Sequence, residues 1–319
     1  MSATVVLNAD LHGFGDACIT AIIAENSQDL PVRLIHRATG EMADFLRMLG
    51  QEVIERDPEE CADTFMAYHT HEVELEGGSV PRVQSRARAL GIDLSHLTPD
   101  TLRLPTVTIE DEATEWAERV CAEMRSFGHA KAVALWPQTC YQSREWPTGY
   151  WHDLAWGLRW HGIGSRFCIG INETRWHNTP GFVFGMGWQK WAAMMREADL
   201  NVAISSGPAS LAAIVRADII TLEGPTKPTI WWHAPQVEVM QVGSHRVSCV
   251  GCHFGSPFRS ACDFGCFALA ALTPDHVLSR VVERLDVSGI KSVQLHHWTA
   301  GAPRPCSRTV ALAGSEGSA

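Results

Sequence analysis

The chain alternates between short apolar runs and longer segments whose apolar residues recur at helical spacing. The runs Ala132–Trp136, Leu200–Ile204 and Ile219–Glu223 are largely apolar, which is typical of strands buried on both faces. Between such runs, Asp111–Ser126 and Trp188–Ala198 carry apolar residues three and four positions apart, which predicts helices. This alternation predicts an α/β chain with parallel sheets.

The same alternation begins at the N-terminus, where a short apolar strand, Thr4–Asn8, precedes a glycine turn and a helix. With 319 residues, 45% of them hydrophobic, the chain is long enough for two domains. We predict two Rossmann-like, doubly wound domains that face each other across a cleft. They cover residues 1–128 and 129–287, and a C-terminal tail covers residues 288–319.

Composition and charge limit the partners and the location that we expect for the protein. The net charge of −10 argues against a nucleic-acid partner, because nonspecific binding to nucleic acid needs a basic surface. The sequence lacks an apolar run of about 18 residues, which predicts that no helix spans a membrane. The first eight residues do not resemble a signal peptide, so we expect a cytoplasmic protein. Most of the twelve tryptophans are predicted to pack in the core or between the domains.

Two loops of small residues follow the predicted strands at 200–204 and 219–223. Ser205-Ser206-Gly207-Pro208 opens directly into an apolar helix, and Gly224-Pro225-Thr226 follows the next strand. A helix N-terminus attracts anions, and ligands of open α/β sheets lie at the carboxyl ends of the strands. The pair predicts a cradle for a phosphate or diphosphate. The alternative is that both are ordinary turns between strand and helix.

A glycine turn and a carboxylate follow the first strand. Gly13 and Gly15 flank Phe14 in this turn, and glycine lets the backbone pass close to a ligand. Asp16 stands where the helix begins. It is either an N-cap, for which Asp is a preferred residue, or a base that takes a proton from an acceptor hydroxyl. The residues leave both alternatives open.

Four cysteines form a cluster within the glycine-rich loop 249–266. The spacing is C-x2-C, nine residues and then C-x3-C, from Cys249, Cys252, Cys262 and Cys266. Four thiolates in two close pairs can surround one tetrahedral zinc or iron ion. Because all four ligands would come from the protein, such a metal would be structural. The alternatives are free buried thiols or one disulfide.

Taken together, these segments resemble the heptosyltransferase family of GT-B glycosyltransferases, which add heptose from ADP-heptose. The likeness covers residues 4 to about 285 and follows the order of the family's motifs. The matching segments are Gly13-Phe-Gly-Asp16, Ser143-Arg-Glu-Trp-Pro147, Ser205-Ser-Gly-Pro-Ala-Ser-Leu-Ala212, Gly224-Pro-Thr-Lys-Pro228 and Leu272-Thr-Pro-Asp-His-Val277. Two positions depart from the pattern, since Ser205 replaces an aspartate and Ser210 a histidine. These departures leave the sugar and the catalytic strength open.

The resemblance implies a role for each matching residue. Asp16 would be the catalytic base, and Arg144 would replace the family lysine that meets the donor diphosphate, in a bidentate way. Glu173 would bind the donor ribose. The phosphates would be held by hydroxyl and backbone N–H groups of Thr139, Ser206, Gly207 and Thr226. No catalytic metal is expected.

The resemblance also implies substrates and partners. The donor would be a nucleotide-sugar such as ADP-heptose, and the acceptor a protein Ser/Thr hydroxyl or the lipopolysaccharide core. The clustered cysteines resemble those of the subgroup that glycosylates autotransporter proteins, whose members carry cysteine-bound iron and form large rings, so a homo-oligomer is implied. The alternatives are a non-catalytic scaffold that binds nucleotide-sugar or folds around its metal, and a nucleotide-sugar epimerase of similar fold.

Overall fold

The structure, a computed structural model, describes most of both predicted domains. The described residues are 3–8, 14–55, 81–98, 100–126, 129–139, 144–169, 182–183, 186–224, 236–243 and 266–286. They form two parallel sheets with helices between successive strands. Parallel strands need crossover connections, and the helices supply them.

The described residues of the first sheet form three parallel strands in the order β1-β2-β3. These strands are β1 (Ala3–Asn8), β2 (Val32–Ala38) and β3 (Val53–Glu55). The described helices near this sheet are α1 (Phe14–Asn26), α2 (Gly40–Met48) and α3 (Arg82–Ala89). Helix α1 is buried along nearly its whole length, which explains why its sequence is apolar on all sides.

In the second sheet, the structure describes six parallel strands. In chain order they are β4 (Lys131–Trp136), β5 (Ile163–Cys168), β6 (Phe182–Val183), β7 (Leu200–Ile204), β8 (Ile219–Glu223) and β9 (Val237–Gln241). Their spatial order is β6-β5-β4-β7-β8-β9. Counted within the sheet this is 3-2-1-4-5-6, the strand order of dinucleotide-binding domains.

Among the described residues, six helices accompany the second sheet. They are α4 (Asp111–Arg125), α5 (Thr148–Trp160), α6 (Trp188–Glu197), α7 (Gly207–Ile214), α8 (Phe267–Ala270) and α9 (Pro274–Arg284). Helix α4 lies close to β5, where a Cβ on Gly164 would be 2.0 Å from the main-chain oxygen of Met124. The helix before the predicted domain boundary at residue 128 thus packs on the second sheet, and that boundary remains a prediction.

The predicted strands and the observed ones agree best for the two fully buried strands, β7 and β8. All five residues of β7 and all five of β8 are buried, and both strands have the predicted bounds. Strand β5 starts three residues earlier than the predicted Arg166. The sequence did not predict β3, β6 or β9. The first two are only three and two residues long, and β9 is an edge strand with a mixed apolar and polar sequence.

Among the described residues, no helix combines the length and the apolar character that a membrane crossing needs.

Candidate active site where two helix N-termini meet

The second sheet has a topological switch point between β4 and β7. From β4 the chain continues to β5 on one side, whereas β7 continues to β8 on the other. Connections that diverge in this way open a crevice at the carboxyl ends of the two strands, where ligands of such sheets bind. The loops that line this edge are joined by a hydrogen bond, since Ser206 Oγ donates to the main-chain oxygen of Gln138 at 3.0 Å.

The first turn of α7 lies at this edge. Ser206 is its N-cap in extended conformation, and its side chain does not cap the helix. The hydroxyl points to carbonyl oxygens instead, that of Gln138 and, at 3.2 Å, that of Ile204. Pro208 has no N–H, so the N–H groups of Gly207 and Ala209 carry the positive end of the helix. The backbone N–H groups, rather than the Ser206 hydroxyl, are therefore the groups of this turn that suit an anion.

The first turn of α1 packs against the first turn of α7. A Cβ added to Gly15 would lie 3.3 Å from Ser210 Oγ and 3.4 Å from the Cα of Gly207. The sequence prediction placed Gly15 in a turn that passes close to a ligand, whereas Gly15 is the second residue of α1 and passes close to protein backbone. Gly13, the other glycine of the predicted turn, lies outside the described residues.

A series of aromatic rings holds this contact in place. The ring centroid of Phe14, the first residue of α1, lies 3.5 Å from that of Trp188 and 5.3 Å from that of Phe45. The ring centroids of Trp188 and Trp191 are 5.0 Å apart, and those of Trp191 and Trp136, at the end of β4, are 5.3 Å apart. Aromatic pairs contribute about 0.5–1.5 kcal/mol each beyond their buried area. The series links α2, α1, α6 and β4, so Trp188, Trp191 and Trp136 connect the first two helices of the chain to the second sheet.

Asp16 is the third residue of α1, so the N-cap alternative does not hold. Two guanidinium groups of α3 donate to its Oδ1 instead, Arg82 Nη2 at 2.7 Å and Arg86 Nη2 at 2.9 Å. Arg86 Nη1 also donates to the main-chain oxygen of Asp16 at 3.2 Å. The side chain of Arg86 is 0% exposed, that of Arg82 24% and that of Asp16 13%. The two arginines thus hold the carboxylate on a helix whose first turn packs against the first turn of α7.

Sequence reasoning missed Arg82 and Arg86. They are four residues apart and therefore on the same face of α3. Two arginines at this spacing on a helix with buried Val83 and Ala87 are a signal for a buried anion partner. The partner itself is 66 and 70 residues away along the chain, so only the fold identifies it as Asp16.

Helix α1 carries a second ionisable side chain close to Asp16, the thiol of Cys18. Cys18 is two residues on and fully buried. Burial, and after it the negative charge of Asp16, raise the pKa of the Cys18 thiol far above its ordinary value. The thiol therefore stays protonated and is a poor nucleophile.

The structure describes two of the four other residues that were predicted to bind the donor. Thr139 is buried and directly follows Gln138, at the switch point. Arg144 lies between β4 and α5. Glu173 and Thr226 lie outside the described residues. The roles of all four remain predictions.

One of the four predicted metal ligands is described. Cys266 is buried at the N-cap of α8, and its Sγ would lie 2.7 Å from a Cβ added to Gly224, the residue after β8. Cys249, Cys252 and Cys262 lie outside the described residues. Within the described part of the chain, no group of three or more His, Cys, Asp or Glu side chains is placed to hold a metal. The metal therefore remains a prediction.

Comparison with known proteins gives a clear result for the fold. No protein-family model and no curated protein sequence matches the chain. Solved structures do match, with 89–90% of this chain covered. The fold is that of the heptosyltransferases. This confirms the GT-B fold predicted from the sequence.

Three of these structures illustrate the likeness. ADP-heptose lipopolysaccharide heptosyltransferase II of E. coli has a TM-score of 0.57 and 12% identity, with 98% of its chain covered. The iron-containing dodecameric glycosyltransferase TibC of enterotoxigenic E. coli has a TM-score of 0.62, 15% identity and 79% coverage; it has also been solved in complex with ADP-D-β-D-heptose. A family 9 glycosyltransferase of Veillonella parvula has a TM-score of 0.60, 12% identity and 97% coverage.

Proposed function

We propose that the chain is a glycosyltransferase that moves a sugar from a nucleoside-diphosphate donor to a hydroxyl acceptor. The observation that supports this most strongly is the packing of the first turn of α1, which carries Asp16, against the first turn of α7 at the switch point. One side offers a carboxylate and the other an anion-binding helix end. A transferase of this kind needs both, a base for the acceptor and positive potential for the leaving diphosphate.

The donor is a nucleotide-sugar whose diphosphate binds at the start of α7. Gly207 and Ala209 supply backbone N–H groups, and Arg144, after β4, contributes a guanidinium. We propose ADP-heptose as the donor, because the fold is shared with two proteins that are described with that sugar nucleotide. Thr139 and Ser206 shape the loops around the diphosphate, while Glu173 and Thr226 complete the donor site.

In the reaction, Asp16 takes the proton of the acceptor hydroxyl. The acceptor oxygen bonds to the anomeric carbon, and the bond from that carbon to the diphosphate breaks with its electron pair on the leaving group. Charge that develops on the diphosphate is stabilised by the N–H groups of α7 and by Arg144. The acceptor is a protein Ser/Thr hydroxyl or the lipopolysaccharide core.

A structural metal and self-association complete the proposal. Four thiolates, from Cys249, Cys252, Cys262 and Cys266, suit tetrahedral zinc or iron. The buried position of Cys266 against Gly224 fits a metal that supports the loop after β8 rather than one that takes part in the chemistry. Metal analysis of the purified protein should find about one zinc or iron per chain, and size-exclusion chromatography with light scattering tests for a homo-oligomer such as the TibC dodecamer.

A second candidate is a non-catalytic protein that binds a nucleotide-sugar. The observation that favours it is the engagement of Asp16 by two guanidinium groups, which stabilise its charged form and weaken it as a base.

Nucleotide release separates the two candidates. The protein is incubated with ADP-heptose and with other nucleotide-sugars, with and without an extract that contains acceptor proteins or lipopolysaccharide core. A transferase releases nucleotide faster when acceptor is present, and the sugar appears on the acceptor by mass spectrometry. Binding of the nucleotide-sugar without release under all of these conditions would leave the non-catalytic candidate.

A further inference from the structure

We propose that Arg86, assisted by Arg82, is a positioning residue that fixes the direction of the Asp16 carboxylate at the site proposed for the donor. This inference rests on the proposed function and names residues that act through the base rather than on the substrate. It follows from the contacts of three side chains on two helices, α1 and α3.

Arg86 holds Asp16 at two points. One guanidinium nitrogen donates to Oδ1 of the side chain at 2.9 Å, and the other donates to the main-chain oxygen of the same residue at 3.2 Å. A guanidinium is planar and its donors have fixed directions, so these two bonds set the carboxylate relative to its own backbone. Arg86 is fully buried, and its ion pair with Asp16 helps to offset the cost of burying its charge.

Arg82 adds a second donor to the same oxygen. It is the first residue of α3, and its bond to Asp16 goes to Oδ1, which Arg86 also contacts. Two charged donors on one oxygen restrain the carboxylate but also lower its affinity for a proton, so Arg82 helps by positioning and not by ionisation. Arg82 is partly exposed, so water screens its contribution.

The position matters because the helix that carries the proposed base packs against the helix that is proposed to receive the diphosphate. Gly15 precedes Asp16 and touches the first turn of α7, so a carboxylate fixed on α1 is also fixed relative to the donor diphosphate. A displacement of about 1 Å in a reacting group can cost about 100-fold in rate. Loss of the Arg86 contacts should therefore lower the rate of the chemical step more than it weakens donor binding.

A double-mutant cycle tests this inference with full-length protein. Arg86→Gln should lower kcat by about 100-fold with the donor KM changed by less than about 2-fold, and Arg86→Lys should recover part of the loss, since it keeps the charge but not the two-point contact. In an Asp16→Asn background, Arg86→Gln should cause no further loss of kcat. If the two losses multiply instead, Arg86 does not act through Asp16 and the inference is wrong.

Arg82→Gln gives the same cycle at a partly exposed position, in case Arg86→Gln does not fold. We expect a kcat loss of about 10-fold that is likewise absent in the Asp16→Asn background. Glu238, on β9, is also held by two arginines, so Arg280→Gln is the matched control and should leave kcat unchanged.

A crystal structure of Arg86→Gln, or of Arg82→Gln if Arg86→Gln does not fold, separates this inference from the proposed function. The Asp16 carboxylate should turn away from its wild-type position, and an unmoved carboxylate would overturn the positioning role. If the wild-type protein transfers no sugar to any acceptor, the proposed function fails, yet this structure still decides whether the arginines position Asp16.

Discussion

In the part of the chain that the structure describes, Asp16 and Glu238 are each held by two arginines, and the fold gives the two carboxylates different surroundings. Asp16 receives Arg82 and Arg86 from α3. Glu238 receives Arg280 and Arg284 from α9, with Arg284 Nη1 at 2.8 Å from Oε2. The chemical groups are almost the same in the two clusters, so composition alone does not assign a function to either of them.

Their positions in the fold separate them. Glu238 lies on the edge strand β9, and its arginines tie α9 to that edge; Arg284 also pairs with Asp218 at 2.9 Å. Asp16 lies in the first turn of one helix, against the first turn of another, at the switch point of the sheet. The comparison shows that the same group of side chains can have different roles. At the sheet edge a carboxylate with two arginines stabilises the structure, whereas at the meeting point of two helix N-termini it is placed to take part in catalysis.

The largest expected effect is that of removing the Asp16 charge. Asp16→Asn should lower kcat for sugar transfer by about 10²–10⁴-fold, because the acceptor hydroxyl loses its base. Glu238→Gln, the matched change in the other cluster, should leave kcat unchanged. Steady-state rates with saturating donor measure both. Full transfer activity in Asp16→Asn would show that Asp16, like Glu238, is not needed for sugar transfer.

The next effect concerns the loop after β8. A Cβ on Gly224 would lie 2.7 Å from Cys266 Sγ and 2.7 Å from Leu269 Cγ. Overpacking of this kind typically costs about 1–3 kcal/mol, so Gly224→Ala should displace the loop and raise the donor Kd by about 10-fold. Calorimetric titration with ADP measures this. Gly149→Ala is the control, since nothing lies within 4 Å of its added Cβ; equal affinity in the two variants would show that the loop does not contact the donor.

A smaller effect is expected at the contact between α1 and α7. The added methyl group of Gly15→Ala would be 3.3 Å from Ser210 Oγ, so one helix must shift by a few tenths of an ångström. We expect kcat to fall by about 3- to 10-fold, because Asp16 moves with its helix. Gly15→Ala/Ser210→Ala should recover most of this loss. A rate loss that the second substitution leaves unchanged would argue against steric displacement as its cause.

The smallest effect is on stability at the sheet edge. Burial raises the pKa of Glu238, but hydrogen bonds from Arg280 and Arg284 outweigh it and hold the pKa below its ordinary value. A lowered folded-state pKa contributes stability that is present above the unfolded-state pKa, about 4.3, and is lost as the pH falls through the folded-state value. Because the cluster is partly exposed, Glu238→Gln should cost about 1 kcal/mol at pH 7.

Urea unfolding at pH 7 and at about pH 3 checks the sign of this contribution. The difference between wild type and Glu238→Gln should shrink at the lower pH. A difference that grows on acidification would contradict the assignment of Glu238 as a stabilising ionised group.

The sequence predicted the parts of the molecule that depend on local pattern. Strands β7 and β8 are continuous apolar runs, so both could be predicted. The loop predicted at Ser205–Pro208 located α7, although the helix already begins at Gly207. Asp16 could be named, but its surroundings could not. Arg82 and Arg86 reach it from α3 because of how the chain folds, and no local pattern at Asp16 indicates them. Edge strand β9 was missed for a related reason, since half-buried positions tolerate polar residues.

The most direct test of the central claim is a crystal structure of the protein with ADP or an ADP-sugar. The account predicts that diphosphate oxygens lie about 3 Å from the N–H groups of Gly207 and Ala209, with the Asp16 carboxylate facing the sugar side of the diphosphate. A nucleotide bound away from the first turn of α7, or with its diphosphate turned away from Asp16, would contradict it.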